Sequence, residues 1–330
     1  MNNFGRIFRI SIFGESHGEC VGITIDGCPA GLSLSPGDLL PDLERRKGGQ
    51  GKGTTPRKED DYPIFKSGVF NGKTTGFPIT ILFENNNTRS EDYEKQRSIP
   101  RPGHADWVAH QKFGGNEDYR GGGHFSARLT AGIVAAGAIA KKLMSGVEIN
   151  ATVTEVAGEK DLEKGLQKAI DAKDSVGGII ECRVTGLPVG IGEPYFDSVE
   201  SSLAHIVFAI PAVRGIEFGT GFAAARMFGS EHNDSIENRK GKTKTNHAGG
   251  IVGGISNGNE LVFRLAIKPT SSTPKEQNSL NWDTGKTEDF SVKGRHDLCV
   301  ALRAPVIVEA VTAIVLADFM LLEQKIKRVL

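Results

Sequence analysis

The chain is poor in several things, and each shortage excludes a class of protein. Only 7% of its 330 residues are aromatic, and it holds four cysteines, Cys20, Cys28, Cys182 and Cys299. These form no CxxC pair and have no zinc spacing, which disfavours a disulfide scaffold and a structural metal site. There is no charge excess of either sign, because 40 basic residues balance 40 acidic ones. No global field therefore draws the chain to nucleic acid or to a membrane. The first sixteen residues lack an apolar run and carry Arg6, Arg9 and Glu15, so they do not read as a signal peptide. The greasiest stretch, Ala304 to Leu322, contains Glu309 and Asp318 and is expected as a buried amphipathic helix rather than a membrane span. The 42 glycines follow no period, which rules out collagen. A soluble, cytoplasmic enzyme or binding protein is the expected class.

Strand and helix signals mix along the chain without strict alternation. Strands are expected at Arg6–Phe13, Val21–Ile25, Ile64–Phe70, Pro78–Phe83, Val147–Val156, Gly178–Val184, Gly215–Phe218 and Leu261–Ile267. Asp26-Gly27 reads as a closing turn and Asn71-Gly72 as a hairpin turn. Helices are expected from Ser35-Pro36 to Arg46, and at Ser126–Met144, Lys160–Ala172, Val199–Ala209 and Gly221–Phe228. A long helical pattern runs over Leu298–Val329, with a break at Pro305. Glu84–Gly103 reads as loop or short helix, and the charged Ser230–Asn246 as a mobile loop. This mixture predicts one α+β domain over residues 1–330 rather than a doubly wound sheet.

Seven segments carry chemistry. Gly14-Glu15-Ser16-His17-Gly18 matches the nucleophile-elbow pattern, but a strand rather than a helix is expected after it. The glycines instead suit a tight turn that presents Ser16 and His17. The basic loop from Glu44 to Thr55 resembles a phosphate-binding loop but fails it, because Gly53 separates Lys52 from Thr54. Its Arg and Lys side chains still suit an anion. In Arg101-Pro102-Gly103-His104-Ala105-Asp106 a histidine adjoins a carboxylate, as acid–base chemistry requires. Arg120-Gly121-Gly122-Gly123-His124-Phe125-Ser126-Ala127-Arg128 sets three glycines before an expected helix start, where free N–H groups bind phosphate. Asn246 to Ser256 is glycine-rich, and Lys268-Pro269-Thr270-Ser271-Ser272 offers hydroxyls beside a cation. Last, Asp297 in Gly294-Arg295-His296-Asp297 is either a helix N-cap or a base. Together the segments describe a deep site for anionic ligands, built without a metal.

Taken in order, these segments other than the basic loop resemble the chorismate synthase family, and the likeness runs from about residue 4 to about residue 320. The resemblance implies a β-α-β sandwich, helices held between antiparallel sheets, assembled as a homotetramer. It implies a lyase that converts 5-enolpyruvylshikimate 3-phosphate to chorismate and phosphate, the last common step of aromatic amino acid biosynthesis. Reduced FMN is the implied cofactor, with no net redox change. NADPH enters only indirectly, through a separate flavin reductase, since the chain lacks the extra segment of members that reduce their own flavin.

By the same resemblance His17, His104 and Asp297 are catalytic: His17 protonates the departing phosphate, His104 is the acid beside the flavin, and Asp297 assists proton removal. Ser16, Arg46, Lys52 and Arg128 bind substrate, with Arg46 and Lys52 also candidates for a nucleotide phosphate. The implied flavin residues are His124, Phe125, Ser126, Pro211, Ala212, Gly253, Lys268, Pro269, Thr270, Ser271, Ser272 and Arg295. No metal is implied. The chain departs from many members in carrying Lys52 for Arg and His124-Phe125 for Arg-Ser. Two other readings remain at this point: a serine hydrolase using Ser16, and a non-catalytic flavin-binding module.

Overall fold

The computed structural model describes residues 2–49, 53–55, 59–87, 97–292 and 296–326. Period-two apolar segments form two antiparallel sheets. The first contains β1 (Asn3–Phe4), β2 (Arg9–Gly14), β3 (Cys20–Asp26), β4 (Ile64–Ser67) and β7 (Ile79–Glu84), ordered β1-β2-β3-β7-β4. Between β4 and β7, the short strands β5 (Val69–Phe70) and β6 (Lys73–Thr74) pair with each other across Asn71-Gly72. Both turn residues have positive φ, 48° and 70°, as a two-residue hairpin of this kind requires. The second sheet contains β8 (Glu148–Val156), β9 (Gly178–Thr185), β10 (Val213–Phe218) and β13 (Leu261–Ile267), ordered β10-β13-β9-β8.

The helices among the described residues are α1 (Pro36–Arg46), α2 (Asp106–Phe113), α3 (Thr130–Leu143), α4 (Leu162–Ala172), α5 (Val199–Val207), the one-turn α6 (Gly229–His232) and α7 (Pro305–Leu322), of which α3 and α7 fill the space between the sheets. α3 lies against β3 and β7 of the first sheet, α7 lies against β8 and β9 of the second, and α3 and α7 pack on each other. A side chain on Gly137 of α3 would stand 2.3 Å from Cα of Ala310, so small residues set how closely these two helices approach. The expected α+β sandwich, helices between antiparallel sheets, is therefore the observed architecture.

α7 differs from expectation in one respect. It has no polar face, since every residue from Val306 to Met320 is buried. The helix is long and apolar enough to cross a membrane by composition, yet 83% of it is buried in this fold. Its two acids are satisfied internally. Glu309 accepts a two-pronged bond from Arg45, one from Lys141 and one from the amide of Ala151. Asp318 accepts from the amides of Arg6, Ile7 and Phe8. That carboxylate explains why the first long strand begins at Arg9 and not at Arg6: three amides that would join a ladder are already bonded to it.

Other boundaries shift for local reasons. The helix expected from Ser126 splits into a 3-10 turn, Ala127–Leu129, capped by Ser126, and then α3. Gly221–Arg226 is likewise 3-10, and leaves Phe222 and Phe228 exposed. The segment expected as a mobile loop, 230–246, is tied down: Asp234 accepts from Thr245 and from the amides of His247 and Ala248. Two elements had no apolar signal in the sequence. α2 buries only Ala109, and the hairpin of β14 (Gln277–Asn281) with β15 (Lys286–Phe290) is almost wholly polar. Trp282 of that hairpin stacks on His110 of α2, with ring centroids 4.6 Å apart.

Candidate active site

The site lies at one end of the sandwich, where loops from both sheets converge. Arg46 stands at the C-terminus of α1, Asp61 just before β4, and Arg128 in the turn before α3. With Arg101, Asp297 and Arg303 they line one hollow. Lys47 and Glu59 at its wall add one charge of each sign. Four guanidinium groups thus face two carboxylates, and the cavity carries a positive excess that the balanced composition conceals.

These charges are held in fixed pairs. Asp61 accepts from Arg46 and from Arg128, and its side chain is fully buried. The two guanidinium groups hold its carboxyl below the usual carboxylate range, although burial alone pushes the other way. Arg128 also donates to Asn85 Oδ1 at 2.9 Å and to the carbonyl of Glu84 at 3.0 Å. Arg46 is buried, and burial followed by repulsion from Arg128 and Arg303 lowers its pKa against the pull of Asp61. Its Nε has no hydrogen-bond partner among the described residues, and neither does Thr270 Oγ1 on the same wall. Unmet donors in a buried, cationic wall are what an entering anion satisfies.

Asp297 is not an N-cap. The residue before the following 3-10 turn is Cys299, and α7 starts only at Pro305. The carboxylate instead accepts a two-pronged bond from Arg303, at 2.8 to 3.2 Å, and one from the amide of Thr55 at 2.8 Å. It points into the same hollow as Arg46 and Arg128.

The triple glycine does not open a long helix. Gly121, Gly122 and Gly123 all have positive φ (60°, 81° and 52°) and form a turn against the Gly14–Gly18 loop, where the amide of Ser16 donates to the carbonyl of Gly123. A Cβ on Gly121 would stand 2.2 Å from His17 Cε1 and 2.9 Å from Ser16 Oγ. A Cβ on Gly122 would stand 3.3 Å from His104 Cε1. Consecutive glycines therefore seat the two histidines, which are 87 positions apart in sequence. Ser16 and His17 are buried behind Gly121.

His104 faces a second hollow, bounded by Arg101, Asp106, Phe125 and Trp282, that shares Arg101 with the first. Its Nδ1 lies 2.5 Å from Asp106 Oδ1. Asp106 also takes Nε and Nη2 of Arg101. The Arg101 and His104 hydrogen bonds outweigh burial and hold the Asp106 carboxyl well below the usual range. An ionised Asp106 accepts from Nδ1–H and leaves Nε2 toward the cavity. Sequence reasoning did not single out Asp61, Asp106, Arg101 or Arg303 as site residues. The proximity of Arg101 and Asp106 to His104 in sequence was a usable signal, whereas Asp61 and Arg303 resemble any surface charge.

The remaining expected residues divide. Lys268 to Ser272 meet the His104 loop: Lys268 Nζ donates to Ser271 Oγ at 2.7 Å and to the Gly103 carbonyl at 3.2 Å, and Arg101 donates to Ser272 Oγ. Ala212 follows Pro211 with φ 73°, and its carbonyl accepts from the Lys268 amide, which brings that pair to the same corner. Ser126 lines the first hollow and Phe125 the second. His124 turns the other way and bonds the Gly14 carbonyl. Gly253 sits at the tip of the hairpin of β11 (Ile251–Val252) and β12 (Ile255–Ser256) and is not among the lining residues of either hollow. Lys52 and Arg295 fall outside the described residues. Ser16 is followed by β3 rather than by a helix and is fully buried, so the nucleophile-elbow geometry is not met.

Comparison with known proteins shows the family. The family model described as chorismate synthase matches residues 8–321. A chorismate synthase of Chitinophaga pinensis is 69% identical over 330 residues, covering 100% of this chain and 99% of the relative. One from Dehalococcoides mccartyi is 45% identical, again over all of this chain and 99% of its own length. A solved structure titled as a crystal structure of chorismate synthase superposes with a TM-score of 0.71 at 29% identity, over 97% of this chain and 93% of that one. The chain belongs to the chorismate synthase family and is a carbon–oxygen lyase.

Proposed function

We propose that the protein catalyses the anti-1,4-elimination of phosphate and the C6 hydrogen from 5-enolpyruvylshikimate 3-phosphate, giving chorismate and closing the common part of aromatic amino acid biosynthesis. The observation that carries this reading is the hollow lined by Arg46, Arg101, Arg128 and Arg303 beside two histidines seated on adjacent glycines. A substrate with a phosphate and two carboxylates needs several fixed cations, and guanidinium forks match such groups two-pronged.

In this reading the C–O bond to phosphate and the C6–H bond break, and a second ring double bond forms. Arg46, Arg128 and Ser16 hold the substrate anions. His17 donates its proton to the departing phosphate oxygen. Asp297, held in place by Arg303 and the Thr55 amide, receives the C6 proton at a carboxylate oxygen. His104, oriented through Nδ1 by Asp106, holds a proton at Nε2 beside the cofactor.

Reduced FMN, when bound, would supply transient electron density for the elimination with no net oxidation. The donor set supports a flavin phosphate at the Lys268–Ser272 corner. Lys268 has no carboxylate partner among the described residues, and burial followed by nearby Arg214 depresses its pKa, a strain that an anion relieves. Pro211 and Ala212 adjoin that corner, while Phe125 lines the His104 hollow and Ser126 the Arg46 hollow.

A separate flavin reductase, a cytoplasmic location and a homotetramer belong to the same proposal. The large exposed apolar side chains of Phe222, Phe228 and Ile236 support self-association. The test is anaerobic: the protein, 5-enolpyruvylshikimate 3-phosphate and photoreduced FMN are mixed, and chorismate absorbance is followed with phosphate release. Equal yields of both, absent with oxidised FMN, are expected. Binding without either product overturns the reading in favour of a binding module.

A further inference from the structure

Among the charged groups of the first hollow, Asp61 has no part in the scheme above, and its placement is unusual. Its side chain is fully buried, and its backbone holds φ 49°, a left-handed conformation that non-glycine residues rarely adopt. One carboxylate oxygen accepts from Arg46 Nη2 and the other from Arg128 Nη1. A single anion thus joins the end of α1 to the turn before α3, the two elements that supply the substrate cations.

The remaining contacts show what this bridge decides. Arg128 gives three of its five N–H donors to the protein, Nε to Asn85, Nη2 to Glu84 and Nη1 to Asp61, and keeps two for a ligand. Arg46 keeps more, because its Nη1 makes only a long 3.4 Å contact with Thr130 and its Nε has no partner among the described residues. Asp61 therefore anchors Arg46 by one nitrogen and leaves the rest of that guanidinium unmet. Without the carboxylate two buried like charges face each other directly, with Arg303 adding to the repulsion.

We propose that Asp61 is a positioning residue: it sets the spacing of the Arg46 and Arg128 guanidinium groups, and so selects anions that bridge that spacing. The inference rests on the functional reading above for the identity of the substrate, and on the buried bridge for the role. Because Asp61 acts through its partners, its removal raises the cavity's positive charge while loosening its geometry. A small anion that needs charge alone and a large one that needs spacing should then respond in opposite directions.

The experiment compares Asp61→Asn and Asp61→Glu with the wild-type chain by steady-state kinetics under anaerobic conditions with reduced FMN, and by competition with inorganic phosphate. In Asp61→Asn the KM for 5-enolpyruvylshikimate 3-phosphate is expected to rise tenfold or more and kcat to change less than threefold. Inorganic phosphate should inhibit at least as well as in the wild type. Asp61→Glu restores the charge with one extra methylene and should recover folding, with a KM three- to tenfold above the wild type. A KM in Asp61→Asn within twofold of the wild type overturns the proposal. So does a parallel loss of substrate and phosphate binding, which marks a merely structural residue. If Asp61→Asn does not fold, a wild-type KM in Asp61→Glu overturns it instead. Should the wild-type chain give no product, the lyase reading fails on its own. Phosphate protection against thermal unfolding then still decides Asp61: weaker protection in both variants overturns the proposal, and protection retained or increased in Asp61→Asn supports it.

Discussion

Gly121→Ala tests the seating of His17 more directly than removal of the histidine itself. Gly121 has φ +60°, and the new Cβ would stand 2.2 Å from His17 Cε1 and 2.3 Å from Nδ1. Ordinary carbon contacts begin near about 3.5 Å, so the methyl group lies more than an ångström inside the ring's contact distance. An L-residue in this conformation costs about 1–2 kcal/mol, and an overpacked contact about 1–3 kcal/mol more. The methyl group meets the His17 ring first and Ser16 Oγ next, at 2.9 Å, and the ring can escape most of the second cost by rotating. Once rotated it no longer presents its proton, and the rate should fall roughly a hundred- to ten-thousandfold, the usual range for a lost general acid. Gly146→Ala is the control: φ is +83° there, and nothing lies within 4 Å of the added carbon. That variant should lose about 1–2 kcal/mol of stability and no activity. The assay is anaerobic turnover beside a urea unfolding curve for each variant. A rate in Gly121→Ala within threefold of the wild type refutes the argument that this glycine places His17. An equal loss of activity in Gly146→Ala shows that backbone strain, not the ring contact, was responsible.

Three further outcomes follow from the same contacts. Asp318→Ala strips the acceptor from the amides of Arg6, Ile7 and Phe8, with Phe8 fully buried, and should cost roughly 2–4 kcal/mol; a loss under about 1 kcal/mol by urea unfolding sinks that account. The Asp106 carboxyl is depressed in the fold, so its stabilising contribution is present above the unfolded value near about 4 and is lost as pH falls through the folded one. The stability gap between the wild type and Asp106→Asn should accordingly shrink below about pH 4, and a gap that stays constant from pH 6 to pH 3 argues against it. Burial pushes the thiols of Cys28 and Cys182 up to about 12, while Cys20 is only half-buried. At pH 8 a disulfide reagent should modify Cys20 first in the native protein, and labelling of Cys182 at the same rate contradicts the packing of β9 on α7.

Much of this molecule is legible without coordinates because its information is local. β3, β7, β9 and β13 announce themselves by apolar residues that bury one face or both. Ser35-Pro36 marks the start of α1, and Asn71-Gly72 the hairpin, because backbone dihedrals depend on neighbours in the chain. Elements held by side-chain contacts across the fold escaped that logic. α2 has no apolar stripe, and β14 and β15 alternate nothing hydrophobic; the stacking of Trp282 on His110 joins them only after the chain has folded. The motif residues His17, His104, Asp297, Arg46 and Arg128 were recognisable from their order along the chain, which also sufficed to indicate the family.

The sequence by itself determined which residue types the site contains, the alternation that builds the two sheets, and the turns that glycine permits, since all three are properties of short stretches. Tertiary structure alone decided which charges are partners. Asp61 and Arg303 are indistinguishable in the sequence from the many charged side chains that stay in water. Only the closure of the sandwich takes Asp61 out of solvent between Arg46 and Arg128, sets Arg303 against Asp297, and brings His17 and His104 to neighbouring glycines. The physical reason is that a charge in water is screened and indifferent to distant residues, whereas a buried one must find its counter-charge, and that partner is chosen in space rather than along the chain.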